Sequence, residues 1–298
     1  MAYTKLTPRH TTGAQVEEIA RENIYRLLIP AGPSNQYRLA QLDDYTKAPR
    51  SSFPLRSPLT LSLSARVSSD SIQGTWGFGL WNDPFGLSLG FGGNPFRLPA
   101  LPNAVWFFGA SEESYLSFKN LRAERRAVLV GTQSKRVLQS KSQFQDSNLG
   151  KNRASTTNEA TNASLSAQRE EAANGFLAQS FRSPKFHLSL ILAGLAIPFS
   201  RKLTRRILGN VIGEDGIRLS VDVIKWHRYR LIWRENRVLF KVDDHQVFES
   251  PVSPNPPLGL VIWIDNQYAA FTPEGKIGFG VLENPEPAWL EIKELNID

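Results

Sequence analysis

The sequence predicts an all-β protein built as a sandwich of two antiparallel sheets. Apolar and polar residues alternate with a period of two in several short runs, most clearly over residues 59–67 and 226–247. The 19 prolines and 21 glycines are spread among these runs, which indicates many turns rather than a helical bundle. At 298 residues, the chain is long enough for one large domain with an insertion.

The first part of the chain is expected to supply the opening strands. We expect a tail or a short helix over residues 1–23, and one or two strands within 24–42. In the run 59–67, Leu59, Leu61, Leu63 and Ala65 are expected to face inward. The next segment, GTWGFGLWNDPFG at 74–86, alternates large aromatic residues with glycines. Such bare backbone would let another backbone or a ligand approach closely.

The segment 226–247, WHRYRLIWRENRVLFKVDDHQV, predicts an antiparallel meander with one packed face and polar turns at 234–236 and 243–244. Its order Trp-His-x-Tyr, aliphatic residue, Trp, polar turn, Val-x-Phe-x-Val-Asp resembles a hairpin of the concanavalin A-like jelly rolls. The resemblance is greatest to glycoside hydrolase family 16, the laminarinases and lichenases. It covers residues 24–118 and 214–298. It implies one jelly-roll domain over 24–298. The family pattern does not predict the segment 119–213, which we expect to be a partly disordered and helical insertion in which 176–190 could resume the sheet.

Retaining enzymes of that family need two carboxyl groups, which a Glu-x-Asp-x-Glu motif places on one strand. The corresponding segment here, PNAVWFFGASEESYLSF at 102–118, has no carboxylate on either alternating face of 103–108. The family's catalytic residues therefore cannot be carried over. The acids that could replace them are Glu112, Glu113, Asp83 and Asp265. Asp83 precedes Pro84, which is more typical of a turn residue.

A ligand site is predicted where an apolar strand, LVIWI at 260–264, ends in four polar side chains. Trp263, Asp265 and Gln267 would share a face, which would place an aromatic platform beside hydrogen-bonding groups. The alternative is a strand that simply turns into the following loop. The ligand would be a glycan or another small polar molecule on the concave sheet. Its predicted contacts are Trp76, Trp81, Trp106, Trp263, Asp265, Asn266, Gln267 and Tyr268.

The insertion concentrates the positive charge of the chain. Residues 119–206 contain 16 basic and five acidic residues, a net charge of +11, which leaves 19 basic and 23 acidic residues elsewhere. Residues 131–175 are polar and of low complexity, so we expect a loose loop there. The apolar run 188–198 is too short to span a bilayer, and a basic amphipathic helix ending at Gly213 follows it.

This helix is expected either to pack on the shell or to lie on an anionic membrane. Membrane contact would involve Leu190, Ile191, Leu192, Leu195, Ile197, Arg201, Lys202, Arg205 and Arg206. Nucleic acid is disfavoured as a partner, because the aromatic residues that could stack on bases lie outside the basic segment.

Neither a metal site nor a cofactor is predicted, since the chain has no cysteine and its four histidines are scattered. The N-terminus lacks the apolar core of a secretory signal, so a cytoplasmic location is expected, with peripheral membrane contact as an alternative. Three functions remain open. They are noncatalytic binding of a glycan, hydrolysis by displaced carboxylates, and a structural or interaction role at a membrane.

Overall fold

The computed structural model describes residues 6–20, 23–84, 100–115, 117, 173–184, 208–272 and 277–298. A short 3-10 helix covers Arg50–Ser52, and a helical turn covers 208–211. The strands are β1 Thr7–His10, β2 Gln15–Ile19, β3 Ile24–Ile29, β4 Leu39–Asp43, β5 Leu59–Val67, β6 Thr75–Trp81, β7 Ala104–Ala110, β8 Gly175–Arg182, β9 Gly213–Arg218, β10 His227–Arg234, β11 Arg237–Val242, β12 His245–Ser250, β13 Gly259–Asp265, β14 Gln267–Phe271, β15 Ile277–Val281 and β16 Ala288–Ile297.

Two seven-stranded antiparallel sheets make up the sandwich. The first sheet has the strand order β1-β4-β13-β6-β7-β8-β9, and the second has the order β12-β11-β10-β5-β16-β3-β2. Strands β14 and β15 form a separate two-stranded hairpin. This architecture confirms the all-β jelly-roll sandwich that the alternation and the resemblance predicted.

The main core lies between the two sheets. Phe78 and Phe107 of the first sheet meet Tyr229 of the second, with ring centroids 5.1 Å from Tyr229 in both cases. All three side chains are almost fully buried. Because side chains alternate along a strand, the intervening residues of β6 and β7 lie on the other side of the first sheet. A second hydrophobic cluster covers that side.

The meander predicted from 226–247 is confirmed as β10, β11 and β12. Tyr229, Leu231 and Trp233 are buried along β10, and Val238 and Phe240 are buried along β11. Its second turn has positive φ angles of 48° and 64° at two consecutive aspartates, 243 and 244. This is the twist that a two-residue hairpin connection requires.

The N-terminal expectation was wrong for the part of 1–23 that the structure describes. Residues 7–10 and 15–19 form β1 and β2 instead of a tail or a helix, and each pairs along one side with an inner strand, β4 or β3. Strands of four and five residues are too short for an alternation of apolar and polar residues to be recognised in the sequence. The long-range pairing therefore decides their structure.

The expected interruption at 119–213 is not continuous. Gly175–Arg182 forms β8, which lies between β7 and β9 within the first sheet. Gly213 begins β9 rather than capping a helix. Of the segment predicted to be helical, the described residues 208–211 are helical. Residues 185–207, which contain the apolar run and the arginine cluster, lie outside the described residues.

Candidate functional site

The predicted ligand face corresponds to the outer face of the first sheet, the side turned away from the second sheet. On β7, Val105 and Phe107 enter the core between the sheets, whereas Ala104, Trp106 and Phe108 lie on the outer face. On this face, β7 therefore presents aromatic and small residues. No residue of β7 carries a carboxylate.

The outer face carries an aromatic cluster formed by Trp81, Trp106, Phe108, Phe181 and Trp263. Trp81 and Trp263 stack with their centroids 6.2 Å apart and their planes at 4°. Trp106 lies 5.9 Å from Trp263 and 6.1 Å from Trp81. Trp106 and Trp263 are only 6% and 7% exposed, whereas Trp81 is partly exposed. Trp81 is therefore the most exposed of these three tryptophans.

The glycines of β6 make room for this cluster. Gly77 pairs with Trp263 of β13, and Gly79 pairs with Trp106 of β7. A Cβ atom at Gly77 would lie 2.9 Å from the Trp263 indole, and one at Gly79 would lie 2.6 Å from the Trp106 Cα. The sequence predicted that another backbone or a ligand could approach the bare backbone of this segment. In the structure, the chain's own tryptophans cover it.

Trp76 was wrongly assigned to the ligand face. It lies in the core between the sheets, 6% exposed, and stacks on Phe176 of β8 at 5.1 Å and 11°. Trp81 lies five positions after Trp76 on the same strand, an odd number of steps, so the two rings point to opposite faces.

Asp265 closes one end of the outer face. Thr75 Oγ1 donates a hydrogen bond to Asp265 Oδ1 at 2.6 Å, and the Tyr37 hydroxyl donates to Oδ2 at 3.4 Å. The Trp263 indole donates to Thr75 Oγ1 at 3.0 Å, which connects the carboxyl to the aromatic cluster. Burial raises the pKa of Asp265 to about 7, although these hydrogen bonds favour the ionised form. Burial, and then the charge of Asp265, also raises the pKa of Tyr37 well above its usual range.

The three polar residues after Asp265 do not form a single ligand surface. Asn266 is fully buried, and its Nδ2 donates to the carbonyl oxygens of Gln36 at 3.0 Å and Leu282 at 2.7 Å. Its Oδ1 accepts from the Arg38 backbone at 2.8 Å. Asn266 therefore ties two loops together. Gln267 and Tyr268 are partly exposed and begin the β14–β15 hairpin.

A second polar group, which the sequence reasoning missed, surrounds the buried hydroxyl of Tyr45. Gln41 Nε2 donates to this hydroxyl at 3.3 Å and to Asp43 Oδ2 at 2.8 Å. Burial, and then the charges of Asp83 and Asp43, raises the pKa of Tyr45 well above its usual range. The Tyr45 ring lies 6.1 Å from Trp81. Gln41 and Asp43 alternate along β4, so a period-two signal for this group was present in the sequence.

The remaining acids have mainly structural surroundings. Asp83 is 5% exposed, with a φ of 49°, and its carbonyl oxygen accepts from Arg50, which agrees with a turn residue. Glu112 and Glu113 are exposed in the turn that follows β7. The neighbouring Ser111 donates its backbone N–H to the Gly74 carbonyl at 2.9 Å, so this turn lies at the Thr75 end of the sheet. Neither glutamate belongs to the aromatic cluster.

The residues predicted to contact a membrane, 190–206, lie outside the described residues. Just after them, Leu208 and Val211 pack against the cluster on the outer face, and Ile212 is 4% exposed. This end of the expected helix therefore packs on the shell. The described part of the chain contains no helix long and apolar enough to cross a membrane. It also contains no group of three or more histidine or acidic side chains arranged to hold a metal ion.

Comparisons with known proteins give similarity of fold and no sequence relative. No protein-family model matches the chain, and the comparison with curated proteins gives no match. A glycoside hydrolase family 16 endo-glucanase from Bacteroides ovatus is 9% identical, with 98% of this chain and 94% of that chain covered and a TM-score of 0.43.

Two mycobacterial structures give similar values. A family 16 glycosyl hydrolase from Mycobacterium smegmatis is 10% identical, with coverages of 98% and 93% and a TM-score of 0.39. A β-1,3-glucanase from Mycobacterium marinum is 11% identical, with coverages of 99% and 91% and a TM-score of 0.37. These comparisons show a similarity of fold to family 16 glucanases and say nothing of a site or a substrate in this chain.

Proposed function

We propose that the protein binds a glycan on the outer face of the first sheet without hydrolysing it. The observation that carries the proposal is the position of Trp81, which is partly exposed and is held flat by its stack on buried Trp263. An aromatic ring held in this way offers a rigid apolar platform at little entropic cost. Sugar rings have apolar faces that can lie on such a platform.

Two hydrogen-bonded polar groups adjoin this platform. Asp265 and Thr75 are connected to it through the Trp263 indole, and the Tyr45 ring of the Gln41–Tyr45 pair lies 6.1 Å from Trp81. A largely apolar surface with a few placed polar groups is the usual composition of a ligand site. This combination favours a polyhydroxylated ligand over a purely apolar one.

Asp43 and Asp265 do not suit a two-acid glycosidase as a pair. Such enzymes need carboxyls about 5–9.5 Å apart. Asp43 pairs with Val261, and Asp265 lies four residues further along β13, so the two acids are about 13 Å apart along the strand. Both Asp43 carboxylate oxygens are also committed to the turn and to Gln41: Oδ1 accepts from the Tyr45 and Thr46 backbones, and Oδ2 from Thr46 Oγ1 and Gln41.

Affinity electrophoresis in gels containing β-1,3-glucan or mixed-linkage glucan tests the binding. We expect the wild-type protein to be retarded and Trp81→Ala to lose most of the retardation, because the platform is gone. Trp289→Ala is the matched control, since Trp289 is also partly exposed but lies on the second sheet. Equal mobility of wild type and Trp81→Ala in every glucan gel would rule out this site.

Hydrolysis by displaced acids has one observation in its favour, the raised pKa of Asp265, because such a carboxyl can donate a proton near neutral pH. A reducing-end assay on both glucans separates the two functions. We expect no release of reducing ends. Turnover that Asp265→Asn abolishes would replace the binding proposal with an enzymatic one.

A further inference from the structure

The outer face of the second sheet carries a cationic patch, formed by Arg228, Arg230, Arg234, Arg237 and Lys241 of β10 and β11. Along these strands the cations alternate with residues of the main core, such as Tyr229 and Trp233, so the charged side chains point away from the first sheet. Outside residues 119–206 the chain has an excess of acidic residues. The patch is therefore a local concentration of positive charge on a mildly acidic shell.

The register of β10 and β11 places like charges directly opposite each other. Arg230 pairs with Lys241, and Arg234 pairs with Arg237. Like charges at directly opposed positions destabilise a sheet, and opposite charges there would stabilise it. Two such pairs on one face of one hairpin thus reduce the stability of the free protein.

Neighbouring acids balance only part of this charge. Arg230 lies 3.3 Å from Asp244, and Arg237 lies 3.5 Å from Glu249, in ion pairs that are open to solvent. Exposed pairs of this kind contribute little. Arg228, Arg234 and Lys241 have no ion pair with any residue in the described ranges. Three cations on the patch are therefore available to an external anion.

We propose that the cationic patch binds an acidic polysaccharide, a chain of sugars that carries sulfate or carboxylate groups. The planar guanidinium group matches both anions through paired N–H donors, and four of the five cations are arginines. Between the two like-charge pairs, Ile232 lies opposite Leu239, and both are half-buried. The patch thus offers an apolar centre for a sugar ring, with cations at both ends.

The spacing favours a polymer over a single small anion. The two like-charge pairs are four residues apart along β10, which is about 13 Å in a strand. One sulfate or carboxylate cannot contact both pairs. A chain with repeated acidic groups can do so, and the several weak contacts then act together.

Nucleic acid and membrane fit the same face less well. Trp226 has Arg66 at 4.8 Å and Lys293 at 4.6 Å from its ring centroid, and Trp289 has Arg66 at 5.4 Å. Rings covered by cations are not available to stack on bases. Ile232 and Leu239 are shorter than the arginines around them, so the patch has no apolar anchor for a bilayer.

Titration of a fluorescently labelled heparin oligosaccharide tests the proposal, since heparin is a sulfated polysaccharide. We expect binding that weakens as salt is raised. The variant Arg228→Gln/Arg234→Gln/Lys241→Gln should raise Kd by on the order of 100-fold, if each cation contributes as it does near other anionic surfaces. The variant Arg201→Gln/Lys202→Gln/Arg205→Gln removes the same charge from the basic insertion and should leave Kd within about threefold.

Lys241→Glu provides a second readout. It converts the Arg230–Lys241 pair into an opposite-charge pair, so it should raise the melting temperature by about 1–3 °C while it weakens heparin binding. Melting curves of all variants show whether each one is folded. A variant that merely lost structure would have both a lower melting temperature and a lower affinity for heparin.

Three results would overturn the proposal. One is the absence of heparin binding at low salt. Another is a loss of affinity in the insertion variant with none in the patch variant. The third is tighter binding of a single-stranded oligonucleotide, or of phosphatidylserine vesicles, than of heparin, with that binding lost in the patch variant. Retardation in neutral glucan gels is independent of these results, because Trp81 lies on the other sheet.

Discussion

Asp265 shows how one residue can be predicted from the sequence while its chemistry depends on its surroundings. Its position at the end of an apolar strand indicated a polar site, and the structure places it beside Thr75 and Tyr37. Its raised pKa arises from burial, which no local sequence pattern reveals.

The pKa of Asp265 predicts a pH dependence of stability. The usual value of 3.8 in the unfolded chain rises to about 7 in the fold, so between these values the folded state binds more protons. The stabilisation is complete below pH 3.8 and is lost as the pH rises through 7. This group should lower the free energy of unfolding by up to about 4 kcal/mol between pH 4 and pH 8.

Urea unfolding of wild type and Asp265→Asn across this range measures the effect. Asparagine does not titrate, and its Oδ1 can still accept from Thr75, so the variant should have the flatter profile. It should gain stability relative to wild type as the pH rises. Parallel profiles for the two proteins would show that Asp265 does not titrate in this range.

Strand β6 shows at the scale of an element why glycines interrupt an aromatic run. Trp76 and Phe78 fill the core on one face of the strand. On the other face, Gly77 and Gly79 have no side chain and leave space for tryptophans of the neighbouring strands. The alternation of β6 was predictable from the sequence. Which neighbouring strands supply the tryptophans was not, because β7 and β13 reach β6 through long-range pairing.

Gly79→Ala should therefore destabilise the protein by about 1–3 kcal/mol, because overpacking against a rigid neighbour forces the backbone to shift. The added Cβ would lie 2.3 Å from the Val105 carbonyl oxygen and 2.6 Å from the Trp106 Cα. Gly278→Ala is the matched control, since its Cβ would meet its nearest neighbour, Tyr268, at 3.5 Å. Denaturant unfolding measures both variants, and equal stabilities would contradict the packing of β6.

The stability of the whole molecule depends on one hydrophobic core to which both sheets contribute side chains. Phe107 of β7 contacts Phe78 and Phe176 of its own sheet, and Tyr229 and Phe240 of the other. This ring is 1% exposed. The two sheets are therefore expected to unfold together rather than one after the other.

Phe107→Ala tests this coupling. It should lower the free energy of unfolding by about 3–5 kcal/mol, because it leaves a cavity that contacts both sheets. Phe279→Ala, at a position 57% exposed on the β14–β15 hairpin, should have little effect. Far-ultraviolet circular dichroism and tryptophan fluorescence should report one shared transition for Phe107→Ala. Separate transitions would mean that the sheets are not coupled through this core.

By itself, the sequence determined the features that depend on neighbours along the chain. The period-two alternation identified the strands of the meander, and paired polar residues identified its turns. The run 103–108 showed that this stretch of β7 contains no acid. Alternation also separates faces, so the opposite orientations of Trp76 and Trp81 were within reach of sequence reasoning.

Only the tertiary structure decided which of these faces meet. It made β1 and β2 strands through pairing, buried Trp106 and Trp263, and brought Tyr45 beside Trp81. The register that opposes Arg230 with Lys241 is likewise a property of the paired strands. The physical reason is that side-chain direction follows from the local geometry of a strand, whereas burial, pKa and contact depend on which distant strands come to lie beside it.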